Sequence, residues 1–316
     1  MIIAITFCIL GFALLIKGAD FLVNGASNIA KKFHIPEIII GLTIVSIGTS
    51  LPELFISLIS SVQGHADMSV GNIIGSNITN LLLILGLSAV LQPIEFKKET
   101  RMIEIPLCLF ITLQFLLICN IEQDINKNDA MILISLLIAF IIYTIIRALK
   151  GEESNTERYN NSDLAKNSNF KNIIYIIIGI IGLKFGGDLT VDNAVIIAKY
   201  FNLSEKIIGL TIISIGTSLP ELITSIFAAI KKKSDIAIGN IIGSNIFNIL
   251  LILGVSANIN PIKYNIAYNF DMTVLLIATL LLVVFSYIPP KNKLTKRNGI
   301  IYLSLYIAYI TTLFTK

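Results

Sequence analysis

One stretch of the chain occurs twice. Residues 40–53 read IGLTIVSIGTSLPE, and residues 208–221 read IGLTIISIGTSLPE. Each copy ends on a carboxylate, Glu53 or Glu221, within an apolar segment long enough to cross a membrane. A charge at the centre of a bilayer costs about 3 kcal/mol or more, so such residues usually mark the path of an ion or substrate. Any fold of this chain must therefore bury the same costly motif in two places.

The composition excludes a soluble protein. Hydrophobic residues make up 55% of the chain and charged residues 14%, and the mean hydropathy is +0.83. Since about 20 apolar residues cross a bilayer as a helix, we predict an all-α polytopic membrane protein with ten transmembrane helices. The predicted spans are 3–29, 36–62, 68–91, 102–120, 129–148, 172–198, 205–230, 236–258, 270–288 and 298–315.

The chain divides into two similar halves. The polar stretch that begins at Gly151 has the composition of a solvated linker. We therefore expect a first five-helix repeat at 1–148, a linker at 149–171 and a second five-helix repeat at 172–316. Equivalent residues lie 168 positions apart, as Glu53 and Glu221 do. Because each half has an odd number of spans, the repeats should be inverted, which is typical of secondary transporters.

The basic residues predict the orientation. About 17 Lys and Arg residues fall in the loops on one side of the predicted spans and about 5 on the other. By the positive-inside rule, the linker should be cytoplasmic and both termini outside. Two acidic residues in the first helix of each half, Asp20 and Asp188, should pair on their own helices with Lys17 and Lys184.

The duplicated motif should break its helix. Pro52 and Pro220 remove a backbone donor in mid-span, and Gly48 and Gly216 tolerate unusual dihedral angles. Carbonyl groups around Ser46 to Thr49 should then be free to line a cavity. The polar residues of the first copy share one helical face: Ser46, Thr49, Ser50, Glu53 and Ser57.

The next span carries GNIIGSNITN, which returns as GNIIGSNIFN in the second half. Ser76 and Asn80 lie on one face and are candidate oxygen ligands opposite Glu53, while Gly71 and Gly75 form a ridge for close helix packing. Six further polar residues are candidates for supporting or packing roles beside the ligands: Ser50, Ser218, Asn72, Asn77, Asn240 and Asn245.

The candidate ligands are all oxygen donors. Hard cations such as Ca²⁺ prefer carboxylate, carbonyl and hydroxyl oxygens, whereas transition metals favour nitrogen or sulfur. Two Glu charges also balance one divalent ion. We therefore predict a hard-cation transporter and no enzyme, with the lipid bilayer as its surroundings. No cofactor, nucleic acid or protein partner is implied.

GTSLPE followed by GNIIGSN in each half resembles the alpha repeats of the cation/calcium exchanger superfamily, particularly prokaryotic sodium/calcium exchangers. The resemblance is strongest over 36–94 and 204–262. It implies ten helices, ion sites between the second, third, seventh and eighth helices, and a place in a prokaryotic plasma membrane. It also implies exchange of about three Na⁺ for one Ca²⁺ by alternating access.

The resemblance assigns roles to matching residues. Glu53, Glu221, Thr49 and Thr217 would bind Ca²⁺ and share in Na⁺ binding; Ser46, Ser76, Ser214 and Ser244 would serve the outer Na⁺ sites; and Asn80 and Asn248 would flank the centre. Some prokaryotic members and the potassium-dependent branch have Asp where this chain has Asn248. That difference argues against K⁺ co-transport and leaves two carboxylates, so exchange should be electrogenic and favour Ca²⁺ export.

Other functions remain open at this point. A Ca²⁺/H⁺ antiporter of the same fold is the nearest alternative, because a buried Glu can exchange protons near neutral pH. A cation channel is a more remote alternative, since inverted repeats are typical of transporters. An intramembrane hydrolase would need a Ser activated by His or Lys, and the motif offers Ser beside Glu only.

Overall fold

A computed structural model of the protein describes residues 1–63, 67–121, 123–150, 169–201 and 214–315. These residues form helices and four two-residue strands. The helices are α1 (Ile2–Lys32), α2 (Glu37–Thr49), α3 (Leu51–Val62), α4 (Ser69–Leu91), α5 (Thr100–Ile121), α6 (Lys127–Lys150), α7 (Asn169–Tyr200), α8 (Leu219–Ile230), α9 (Ser234–Ile259), α10 (Ile266–Tyr287) and α11 (Lys296–Thr315). Residues 151–168 of the predicted linker and residues 202–213, which include the first part of the predicted seventh span (205–230), lie outside the described ranges.

The described helices have the length and composition of membrane spans. Seven of them are long and apolar enough to cross a bilayer, and α2 with α3 makes an eighth as a pair bent by 50°. Large apolar side chains cover their outer surfaces; Ile2 is 82% exposed and Ile307 66%. An apolar exterior of this kind suits lipid rather than water.

Helices α4 and α9 form the centre of the molecule. In the most apolar stretch of each helix, 78% of the residues of α4 and 94% of those of α9 are buried. Both helices contain a π-helical segment, Thr79–Leu85 in α4 and Asn248–Leu253 in α9. Such segments are frequent at functional sites. The segment in α4 begins one residue before Asn80, and the segment in α9 begins at Asn248.

Helices α1 and α7 pack together through glycine. A Cβ atom at Gly18 would lie 2.8 Å from the backbone nitrogen of Leu183, and one at Gly186 would lie 2.8 Å from that of Leu15. Gly11 and Gly25 make equally close approaches to α7, so glycine recurs every seven residues along α1. Small residues at such contacts allow the two backbones to touch.

Four short strands join the two halves at opposite ends of the helices. β1 (Ile94–Glu95) pairs with β4 (Lys293–Leu294), and β2 (Asp124–Ile125) pairs with β3 (Ile262–Lys263), both antiparallel. Each pair takes one strand from each half of the chain. The two ends of the molecule are named below the β1–β4 end and the β2–β3 end.

One expected ion pair is different in the structure. Lys184 and Asp188 do pair along α7, at 2.5 Å. Asp20, expected to pair with Lys17 on α1, instead pairs with Lys231, which follows α8. The prediction for Asp20 was wrong because the helical spacing of α1 carries no information about a side chain from another helix.

Candidate functional site

Both copies of the duplicated motif interrupt a helix. α2 ends at Thr49 and α3 begins at Leu51, with Ser50 between them at φ −85° and ψ 10°. Ser218 has nearly the same dihedral angles, φ −90° and ψ 8°, before α8 begins. Pro52 and Pro220 lie in the first turn of the helices that follow, where a missing N–H is tolerated.

The interruption differs from the expectation in detail. The carbonyl oxygen of Ser46 is not free, because it accepts hydrogen bonds from the backbone N–H of Ser50 at 3.0 Å and the hydroxyl of Thr49 at 3.2 Å. Gly48 and Gly216 lie against other helices rather than at the break. A Cβ at Gly48 would lie 2.7 Å from Cδ1 of Ile180, and one at Gly216 would clash with Val191. The glycines therefore allow close packing on α7.

Glu53 and Glu221 are buried and each accepts a hydrogen bond from a serine. The Ser76 hydroxyl donates to Oε1 of Glu53 at 3.4 Å, and the Ser50 hydroxyl donates to Oε1 of Glu221 at 2.8 Å. Oγ of Ser50 also lies 3.0 Å from Oγ of Ser244. Ser50 thus links its own half of the chain to the carboxylate of the other half.

Asparagine amides orient the remaining oxygens. Nδ2 of Asn248 donates to Oδ1 of Asn77 at 2.9 Å and to Oγ of Ser76 at 3.4 Å. Nδ2 of Asn80 donates to Oδ1 of Asn245 at 3.0 Å. Since the amide nitrogens of Asn80 and Asn248 are engaged in this way, their side-chain oxygens point elsewhere.

Four buried oxygens of this cluster have no hydrogen-bond partner among the described residues: Glu53 Oε2, Glu221 Oε2, Asn80 Oδ1 and Asn248 Oδ1. They form two pairs related by the 168-residue offset. A buried polar atom left unpaired costs about 1–3 kcal/mol, and more if it is charged. Four acceptors in one cluster are therefore suited to a positively charged partner.

The donor set favours hard cations. Within the described ranges, no Lys, Arg or His forms an ion pair with Glu53 or Glu221. The same ranges contain no cluster of three or more His, Cys, Asp or Glu side chains that could hold a metal ion. Two buried carboxylates without counter-charges destabilise the protein unless a cation neutralises them. Carboxylate and amide oxygens are the ligands that Ca²⁺ prefers.

Other candidate residues lie beside this cluster. The Thr49 hydroxyl, whose one hydrogen is shared with the Ser46 carbonyl, lies 3.1 Å from Oδ1 of Asn240, and Nδ2 of Asn240 donates to Oγ of Ser225 at 2.9 Å. In the first half, Nδ2 of Asn72 donates to Oγ of Ser57 at 3.4 Å. Ser225 was not among the predicted residues, although the 168-residue offset from Ser57 would have identified it.

Three further predicted serines are Ser46, Ser218 and Ser214, of which the first two lie in different surroundings. The Ser46 hydroxyl donates to carbonyl groups of its own helix, at 2.8 Å to Leu42 and 3.1 Å to Thr43. Ser218 Oγ lies 3.3 Å from Ser76 Oγ, beside Glu53. The side chain of Ser214 lies outside what the structure describes.

A cavity of about 350 Å³ lies next to the cluster, between α3, α7 and the segment that leads into α8. Its lining includes Pro52, Phe55, Ile56 and Ile59 on one side, and Lys184, Gly187, Asp188, Val191, Asp192, Gly216, Thr217 and Pro220 on the other. It extends from the middle of the molecule toward the β2–β3 end. In the equivalent place of the other half, α1 packs directly on α8.

Comparison with known proteins identifies the family. A model of the family described as "Sodium/calcium exchanger protein" matches residues 3–146 and again 171–315. The chain belongs to the sodium/calcium exchanger family. As a member of this family it is an integral membrane protein and a cation antiporter, a transporter rather than an enzyme.

Full-length relatives agree with this assignment. This exchanger is 37% identical to the putative antiporter CaxA of Alkalimonas amylolytica over the full length of both chains. It is 30% identical to the sodium/calcium exchanger MaX1 of Methanosarcina acetivorans over 97% of each chain. A solved structure of the sodium-calcium exchanger NCX_Mj, soaked with Na⁺ and Ca²⁺, matches 99% of each chain with a TM-score of 0.84 and 35% identity.

Proposed function

We propose that this exchanger moves Ca²⁺ against Na⁺, about three Na⁺ for one Ca²⁺, by presenting one central site to either side of the membrane in turn. The observation that carries the proposal is the set of four unpaired buried oxygens from Glu53, Glu221, Asn80 and Asn248. Serine hydroxyls already fix one oxygen of each carboxylate, so the other oxygen of each is available to the ion.

We further propose that ten helices cross the membrane as two inverted repeats of five. The double match of the family model and the 168-residue offset between the halves support this arrangement. The strand pairs support it as well, because the equivalent loops, β1 with β3 and β2 with β4, lie at opposite ends of the molecule. With the positive-inside rule, the β1–β4 end is cytoplasmic and both termini are outside.

The number of carboxylates makes the exchange electrogenic. Two Glu charges are neutralised by one Ca²⁺, whereas about three Na⁺ leave the site with one positive charge. Moving one charge across 100 mV is worth about 2.3 kcal/mol. A negative interior therefore favours Na⁺ entry and Ca²⁺ export. Asn248, which supplies an oxygen without a charge, supports this count and argues against K⁺ as a third ion.

A Ca²⁺/H⁺ antiporter is the second candidate function. Glu53 and Glu221 lack a basic partner among the described residues, so protons can neutralise them in place of Na⁺. Two protons would balance one Ca²⁺, and such an exchange would be electroneutral. The effect of membrane potential therefore distinguishes the two functions.

The test measures uptake of radioactive Ca²⁺ into vesicles that contain the purified exchanger and are loaded with Na⁺, with K⁺, or at acidic pH. We expect uptake to require internal Na⁺ and to rise when the vesicle interior is made positive, because one net positive charge leaves with each exchange of about three Na⁺ for one Ca²⁺. Glu53→Gln and Glu221→Gln serve as transport-dead controls. Uptake that follows the pH gradient and ignores Na⁺ would replace the proposal with the Ca²⁺/H⁺ alternative.

A further inference from the structure

The β1–β4 end of the molecule is held together by lysines that follow α8. Lys231 pairs with Asp20 of α1 and also donates to Oδ1 of Asn24 at 3.0 Å. Nδ2 of Asn24 in turn donates to Oδ1 of Asp20 at 2.8 Å. The side chains of Lys231 and Asp20 are both 30% exposed, so water screens their attraction only in part.

A second lysine extends this contact to α2. Lys233 pairs with Oε1 of Glu37, at the start of α2, at 3.1 Å. The Ser27 hydroxyl of α1 donates to the same carboxylate oxygen at 2.5 Å. We call Lys231, Lys233, Asp20, Asn24 and Glu37 the lysine latch. It joins α1, α2 and the end of α8, the elements that close this end.

The equivalent positions at the other end lack the lysine. Asp188 and Asp192 of α7 stand 168 residues after Asp20 and Asn24, but the position equivalent to Lys231 is Gln63, at the end of α3. Asp188 instead pairs with Lys184 on its own helix. α7 and α3 are separated here by the cavity that Asp188 and Asp192 line. Among the described residues, the closed end thus has cross-helix ion pairs, whereas Asp188 and Asp192 at the end with the cavity form none with α3.

We propose that the lysine latch sets which end of the exchanger is open when no ion is bound. It holds the β1–β4 end closed, and at the β2–β3 end Gln63 stands in place of Lys231, so the described part of α3 offers no lysine to Asp188 and Asp192. This inference rests on the proposed alternating access, in which α1 must part from α8 before an ion leaves at the β1–β4 end. A contact present in only one of two states shifts their populations by its own free energy.

A matched pair of reporter cysteines tests the latch in a background without Cys8, Cys108 and Cys119. Val191 lines the cavity, and its equivalent Val23 is fully buried in α1. With the latch intact, a membrane-impermeant thiol reagent should modify Val191→Cys readily and Val23→Cys slowly. In Lys231→Gln, Val23→Cys should react about fivefold faster from the β1–β4 side, and Val191→Cys should react more slowly.

Three further variants sharpen the test. Lys98→Gln removes an exposed positive charge from the same end and should change neither rate, and Lys231→Arg should retain the latch. Gln63→Lys supplies a lysine at the position equivalent to Lys231, which can pair with Asp188 or Asp192 when this end closes, so it should protect Val191→Cys. Unchanged labelling in Lys231→Gln, or faster labelling at both reporters, would overturn the proposal.

The same vesicles separate this inference from the proposed function. If Na⁺-driven Ca²⁺ uptake is present and Lys231→Gln leaves the labelling unchanged, the latch is wrong and the transport proposal stands. If the labelling shifts as expected and uptake ignores Na⁺, the latch stands and the coupling ion is wrong.

Discussion

Glu53 and Glu104 are both fully buried carboxylates, but their surroundings differ in kind. Oε1 of Glu104, in α5, accepts hydrogen bonds from Arg147 at 2.7 Å and from the Tyr143 hydroxyl at 2.5 Å, both in α6. Glu53 has a serine at 3.4 Å and no ion pair within the described ranges. A buried acid with its own cation joins helices, whereas one without a cation is available to bind one.

The two halves of the chain support this distinction. The residue equivalent to Glu53 is Glu221, so the unpaired acid is present in both halves. The residue equivalent to Glu104 is Met272, which is also fully buried. The ion pair between α5 and α6 is therefore a feature of one half only. An apolar side chain fills the same position in the other half.

The largest expected difference between the two acids concerns ion binding. Glu53→Gln should weaken Ca²⁺ binding about 100-fold, because removing one partner of a buried charge contact costs about 3 kcal/mol. Glu104→Gln should leave the Ca²⁺ affinity unchanged. Ca²⁺ at 100 times its dissociation constant stabilises a protein by about 2.7 kcal/mol. Thermal unfolding with and without Ca²⁺ should therefore show a shift in Glu104→Gln and none in Glu53→Gln; equal shifts in both would contradict the comparison.

An effect of similar size should appear in stability when Glu104 loses its partner. Arg147→Met leaves a buried carboxylate uncompensated, which costs about 3–5 kcal/mol; the lower end applies because Arg147 is 18% exposed. Adding Glu104→Met should restore most of the lost stability, since Met272 shows that methionine suits the equivalent position. Denaturation in detergent measures both variants. A double variant no more stable than Arg147→Met would mean that the pair does more than join α5 to α6.

The smallest effects should come from the hydroxyl groups that donate to each acid. Ser50→Ala removes the 2.8 Å hydrogen bond to Glu221 and should raise the KM for Ca²⁺ about fivefold, since such a bond contributes about 1 kcal/mol. Tyr143→Phe removes the 2.5 Å hydrogen bond to Glu104. It should lower the free energy of unfolding by about 1 kcal/mol and leave KM unchanged. Uptake kinetics give the KM of both variants, and denaturation gives their free energies of unfolding. A changed KM in Tyr143→Phe would contradict the distinction between the two acids.

Much of the helical structure could be predicted from the sequence, because bilayer thickness dictates the length of each apolar run. The predicted spans 36–62 and 129–148 correspond to Glu37–Val62, across the bend, and Lys127–Lys150. The glycines at seven-residue intervals in α1 were also visible in the sequence, but the prediction did not use them. Arg147, near the end of the predicted span 129–148, is in the last turns of α6, and its long side chain reaches Glu104 from there.

Contacts between the halves could not be predicted in the same way. Helical periodicity identifies the polar face of one helix, but not the residue opposite that face. Ser50 was therefore expected to have a supporting role, and the structure places it on Glu221, 171 residues away. The same limitation explains why Asp20 was paired with Lys17 rather than with Lys231.

The strand pairs have a consequence for how the chain is made. β1 is complete early in synthesis, but its partner β4 comes much later; the ion pair between Glu95 and Lys293 spans 198 residues. At about 5–20 residues per second, a ribosome needs about 10–40 s to add that length. During this time β1 in the first half stays unpaired, and α1 lacks its partner until α7 has been made. A nascent chain stopped before residue 293 should therefore be open to proteolysis at residues 94–95, and protection should appear only when β4 leaves the ribosome.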